Sequence, residues 1–150
     1  MQRLSAITAA IGFAAFTLPA TAQFAKSEDA IKYRQGALFV MQQNFARLAG
    51  MAQGKIPFDA KVAADSAANA EFVSRLPWVA FGEGTDKGGN TKAKAEIWKE
   101  KARFMEYADK MQGEMGKLSA AAKTGNLDAI KSAVGPVGGA CKTCHDAFRE

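Results

Sequence analysis

The chain has 150 residues, 48% of them apolar and 23% charged, with a formal net charge of +5. That length suits one domain able to bury about two-thirds of its unfolded surface. The lysines and arginines are scattered, with no basic stripe interleaved with aromatics, so nothing indicates a nucleic-acid partner; mild basicity fits a solvated surface or an acidic partner.

The N-terminus, MQRLSAITAAIGFAAFTLPATAQ, places a single cation, Arg3, before an uncharged, mostly apolar run from Leu4 to Leu18. Ala20 and Ala22 follow as small residues with one residue between them. These are the three parts of a secretory signal peptide, with cleavage expected after Ala22. The run is shorter than the roughly 20 residues of a bilayer-spanning helix, and no cationic stop follows it. Residues 1–22 therefore read as an export signal and residues 23–150 as the mature domain, with no membrane anchor and the periplasm as its expected location.

Ser27 is placed to cap a first helix, with Glu28 and Asp29 in its first turn. The inward seam is Ile31, Arg34, Leu38, Met41, Phe45 and Leu48, and Gly50 is the expected stop. Asp59 caps a second, Ala-rich helix of weak periodicity through Val62, Val73 and Leu76, which Pro77 ends. Residues 81–91, FGEGTDKGGNT, form the one long Gly-rich connection. Ile97, Phe104, Ala108, Met111, Met115 and Leu118 mark a long third helix. Gly125 and Asn126 break the chain and cap a fourth, with Leu127, Ile130, Val134, Val137, Cys141, Cys144 and Phe148 on its seam. Pro136 predicts a kink or a fresh turn within it. Strand signals are nearly absent, so the fold class is all-α, an antiparallel four-helix bundle.

The C-terminal CKTCH holds both cysteines, Cys141 and Cys144, and the sole histidine, His145. Two cysteines three apart on a helix share a face, but their geometry suits a disulfide poorly. A closed zinc site needs four ligands, and three soft candidates are present. A redox dithiol normally opens a helix after a strand, and no such strand is predicted. The remaining reading is covalently attached haem c, in which two thiols add to the vinyl groups and His145 binds iron. Both sulfurs then reach one edge of the macrocycle while the imidazole rises to the metal.

A single histidine excludes bis-histidine ligation within one chain. A six-coordinate carrier would need methionine, and Met41 on the first seam is the candidate, against an ordinary role as core filler. Leu38, one turn earlier on that seam, cannot bind iron. If Leu38 faces the open side, the iron is five-coordinate behind an apolar lid that admits small neutral gases. Arg34 stands among apolar seam residues, where its guanidinium either snorkels to solvent or pairs with haem propionates.

With its signal peptide, bundle pattern and terminal CKTCHDAFRE, the chain resembles the bacterial cytochromes c′. QFAKSEDAIKYRQGAL at residues 23–38 and LPWVAFGEGT at residues 76–85 carry the resemblance along the rest of the mature chain. It implies a dimeric periplasmic haem protein with high-spin or spin-mixed iron and no sixth protein ligand. It also implies nitric oxide and carbon monoxide binding, with electron transfer or nitric oxide handling as the role. By position, Cys141 and Cys144 would carry the thioethers, His145 the iron, and Leu38 the distal lid. Trp78 and Phe81 would stand near the pocket, Arg34, Gln35, Thr91 and Lys92 at the haem edge, and Arg149 by the proximal histidine.

The expected function is thus single-electron transfer, from a small redox partner or a quinone-pool donor, with reversible gas binding. A dedicated nitric oxide scavenger without a redox partner is the rival from another class. An enzyme such as a weak peroxidase ranks last, because no distal acid–base pair is present to cleave an oxygen–oxygen bond.

Overall fold

The computed structural model describes residues 23–150; the expected signal peptide at 1–22 lies outside them. Four long helices account for most of this length: α1 (Ser27–Ala52), α2 (Ala60–Val73), α4 (Lys101–Lys123) and α5 (Leu127–Phe148). A single helical turn, α3 (Glu96–Lys99), and a 3-10 turn, Pro77–Ala80, sit in the long connection between α2 and α4. α1 packs on α2, α2 on α4, α4 on α5 and α5 back on α1, which closes a four-helix bundle. No helix among the described residues is long and apolar enough to cross a membrane.

The first seam is inward as its spacing predicts. Ile31, Arg34, Met41 and Leu48 are buried, and Leu38 and Phe45 pack half-buried against the main core. Full burial of a side chain such as Leu48, Leu118 or Ile130 stabilises the fold by about 1.5–3 kcal/mol each. The ends of α1 differ from expectation. Ser27 is the first helical residue rather than the cap, and its hydroxyl turns to the Glu28 carboxylate. Gly50 lies within the helix, tight against Ile56; the chain leaves α1 after Gln53, where Gly54 takes a left-handed φ of 69° that glycine alone adopts without strain.

The cap of α2 is Asp59, whose carboxylate accepts from the Val62 amide at 2.8 Å. Its core face consists of Ala63, Ser66, Ala67 and Ala70, while Val62 is exposed. Small side chains there bring α2 against Met111, Met115 and Leu118 of α4. Pro77 does not end α2, which stops at Val73; it opens the 3-10 turn, where its missing N–H costs nothing. Ile97 belongs to α3, separated from α4 by Glu100 with φ −115° and ψ 43°. Asn126 caps α5, its side-chain oxygen accepting from the Asp128 and Ala129 amides at 2.8 and 3.3 Å. α5 then runs unbroken through Pro136, so no fresh turn starts there. Pro136 is exposed, which leaves the carbonyl it deprives of a partner within reach of water.

Candidate functional site

The last two turns of α5 present Cys141, Cys144 and His145. Both cysteines are free and half-buried, and each packs against a different apolar cluster. Cys141 touches the main core, to which Leu38, Met41, Phe45 and Trp78 also belong. Cys144 touches an aromatic cluster of Phe81, Phe104 and Phe148 with Ile97, flanked by Trp78 and Trp98. Trp78 contacts both and joins them. Its indole N–H donates to the Ser74 carbonyl at 2.6 Å, which fixes the ring.

Electrostatics keep all three motif groups uncharged. Burial raises the Cys141 thiol pKa. Burial, and then the neighbouring Cys141, pushes Cys144 up to about 11. His145 is exposed as a residue, yet partial burial and then Arg149 hold its pKa below the ordinary histidine range, with Asp146 opposing. Protonated thiols argue against a thiolate redox or nucleophilic centre. A neutral imidazole is the form that donates a lone pair to a metal. No cluster of three His, Cys, Asp or Glu among the described residues is arranged to hold a metal ion by itself.

Arg34 lies at the meeting of α1 with the 80–91 segment. Only 2% exposed, it does not snorkel. Nη1 donates to the Ala80 carbonyl and the Thr85 hydroxyl, both at 3.0 Å. Nη2 donates to the Thr85 carbonyl at 2.8 Å and the Thr91 hydroxyl at 2.9 Å. These four acceptors take all four terminal N–H groups, so the guanidinium clamps the 80–91 segment of the chain's own loop. The guanidinium also faces the Phe81 ring at 4.4 Å and the Trp98 ring at 5.6 Å. Burial lowers its pKa and Asp86 opposes that shift. Lys101, whose ammonium donates to the Phe81 carbonyl at 2.7 Å, is lowered by burial and then by Arg34.

The other expected residues fall along the same seam between helix and loop. Gln35 donates to the Asn90 side chain at 3.2 Å. Thr91 is half-buried on Arg34. Lys92 is exposed, but its carbonyl accepts the Glu150 amide at 2.9 Å. Arg149 is exposed, with its backbone N–H on the His145 carbonyl at 3.0 Å, and it forms an isolated antiparallel bridge with Ala93. Arg34, Phe81 and Thr91 are therefore in direct contact, and Lys92 and Arg149 meet through the backbone bridge. Leu38 lies apart from that network, on the core shared with Cys141. Sequence reasoning missed Thr85 and Trp98, and it placed Phe104 and Phe148 on helix seams without joining them to the site. The aromatic spacing of Phe104 and Tyr107, with Trp98 just before, was the available signal for the second cluster.

The family model described as Cytochrome C' matches residues 29–149. The chain belongs to the cytochrome c′ family. The cytochrome c′ of Rubrivivax gelatinosus is 54% identical over 128 residues, covering 85% of this chain and 99% of that one. Its crystal structure superposes with a TM-score of 0.82 over 85% of this chain and 100% of that chain. A nitric oxide complex of a mutant cytochrome c prime from Alcaligenes xylosoxidans, 44% identical, superposes at 0.78 over 85% of this chain and 98% of that chain.

Cytochromes c′ carry covalently attached haem c, which is accordingly the cofactor of this chain. The residues present fit it. Two un-ionised thiols one turn apart and a neutral imidazole share the end of α5, between two apolar clusters. Gly138, two turns before His145 on α5, carries no side chain, and the space beside it is open.

Proposed function

We propose that this chain is a periplasmic haem-c protein with five-coordinate, high-spin iron that moves single electrons and reversibly binds nitric oxide and carbon monoxide. Cys141 and Cys144 would hold the haem through thioethers, and His145 would give the iron its one protein ligand. When bound, the haem supplies a one-electron iron centre with an open coordination position. The chain's own residues do the rest. Leu38, with Phe45 and Trp78 in the same cluster, excludes water and anions while leaving room for small neutral molecules. The aromatic cluster against Cys144 keeps the tethered end dry.

The observation that carries this reading is that Leu38 on α1 and Cys141 on α5 pack against one apolar core. Leu38, placed here over the open side, has no donor atom; Met41 in the same core has one, and the gas titration decides between them. The nitric oxide complex of the Alcaligenes xylosoxidans relative supports the choice of ligand. An apolar lid without an acid–base pair supports a carrier rather than an enzyme. The electron partner belongs to the same reading as a small redox protein or a quinone-pool donor. So does the homodimer: Phe39 on α1 and Phe72 on α2 are 61% and 67% exposed, apolar area that a second copy would cover.

The test is a gas titration of the ferrous protein, followed by absorption. Carbon monoxide and nitric oxide should each shift the Soret band saturably. Leu38→Ala should speed carbon monoxide association by about tenfold or more, each factor of ten corresponding to about 1.4 kcal/mol of barrier. A ferrous spectrum indifferent to both gases would contradict the reading and point to Met41 as sixth ligand.

A further inference from the structure

One continuous set of contacts joins the helix that carries Leu38 to the end of the helix that carries His145. The Thr91 hydroxyl accepts from Arg34 Nη2 at 2.9 Å and from the Ala93 amide at 3.2 Å. Ala93 is the residue bridged to Arg149. On either side of that bridge, the Lys94 amide donates to the Phe148 carbonyl at 3.0 Å and the Glu150 amide to the Lys92 carbonyl at 2.9 Å. The Arg149 amide closes the path on the His145 carbonyl at 3.0 Å. Without this bridge the last residues would fray, as chain ends do when nothing ties them down.

We infer that Thr91 is a positioning residue: its hydroxyl couples the placement of α1, and so of Leu38, to the register of the C-terminal segment that follows His145. The chemistry supports this role over plain loop packing. Arg34 has its remaining acceptors, Ala80 and Thr85, on the far part of the loop, which makes no hydrogen bond to the C-terminal segment. Among its acceptors, Thr91 alone turns the guanidinium toward the bridged segment. A β-branched side chain is already restricted at χ1, and two donors, Arg34 from α1 and the Ala93 amide, hold the Thr91 hydroxyl. Movement of α1 at Arg34 is therefore passed to Ala93 and on to Arg149 rather than absorbed in the loop.

The inference rests on His145 as the iron ligand, and its test separates the two claims. The holoprotein is compared with Thr91→Val, which keeps the shape but removes the acceptor, with Thr91→Ser, which restores it, and with Thr85→Val, which loosens Arg34 on the far side. Two quantities are read: amide exchange at Lys94 and Glu150, and the ferrous iron–histidine stretching band in resonance Raman. Thr91→Val should speed both amides by roughly fivefold or more, the size of one net hydrogen bond, and should shift the band. Thr91→Ser should return both to wild type. Thr85→Val should lower the melting temperature and leave both readings unchanged. Wild-type exchange and band position in Thr91→Val would overturn the relay, as would equal effects from Thr85→Val. Absence of the band in the wild type would instead overturn the coordination reading, while the exchange result would still decide the coupling.

Discussion

The guanidinium carbon of Arg34 lies 4.4 Å from the centre of the Phe81 ring, inside the protein and away from the surface its charge would prefer. Such a charge is tolerable only because its terminal N–H groups are all accepted and an aromatic face meets it. Arg34→Leu would remove the charge but strand the Thr85 carbonyl and leave the Ala80 carbonyl only the Thr85 hydroxyl at 3.3 Å. The expected cost is about 1–3 kcal/mol, read as a fall in denaturation midpoint with unchanged m-value. Arg34→Lys keeps the charge yet cannot reach four acceptors with one ammonium, so it should still cost about 2 kcal/mol.

Met41 is 7% exposed and packed in the main core beside Leu38 and Cys141. As a core filler it should be exchangeable for a residue of similar volume. Met41→Leu is expected to cost under about 1.5 kcal/mol and to leave the ferric and ferrous spectra as they are. A spectrum that changes from six-coordinate to five-coordinate in this variant would show methionine ligation.

The α5 helix depends on Asn126, whose side chain satisfies two first-turn amides. Asn126→Ala should cost about 1 kcal/mol in thermal denaturation and leave gas binding unchanged, because the cap is about four to five turns of helix from the cysteines. An equal loss is expected for Asp59→Ala at the start of α2.

Lys101 gives the fold an alkaline pH dependence. Burial, and secondarily Arg34, hold its pKa below 10.5. The folded protein therefore releases this proton at lower pH than the unfolded chain, where the unfolded state binds more protons. Stability should rise with pH across the interval from the depressed value up to 10.5. Lys101→Met should flatten that rise in melts recorded as a function of pH; an unchanged slope would assign it to another group.

Much of this architecture was legible because it rests on large apolar side chains at helical spacing. Ile31, Met41 and Leu48 on α1, and Phe104, Met111 and Leu118 on α4, are buried where their periodicity places them. The face of α2 was not legible, because its buried positions are Ala63, Ser66, Ala67 and Ala70, and close approach by small residues leaves no hydrophobic rhythm. Gly50 misled for a related reason: it allows Ile56 to pack close within a continuing helix, and the stop lies at Gly54. Pro136 does not end α5: it faces outward, and the carbonyl it leaves without a partner is within reach of water.

Within the site, Cys141, Cys144 and His145 were readable as chemistry, since their spacing on one helix end leaves few alternatives. The partners of Arg34 were not. They are hydroxyls and main-chain carbonyls 46–57 residues away in a glycine-rich segment, and no local pattern encodes such a contact. Trp98 was passed over because α3 is a single turn, too short for a periodic signal.

The central claim is an iron held by His145 alone, with Leu38 rather than a sixth ligand across from it. The absorption spectrum of the reduced, gas-free protein tests it most directly. A single broad Soret band without a sharp alpha band, the mark of five-coordinate ferrous haem, is the predicted result. Sharp, resolved alpha and beta bands would mean a six-coordinate iron and would contradict the account.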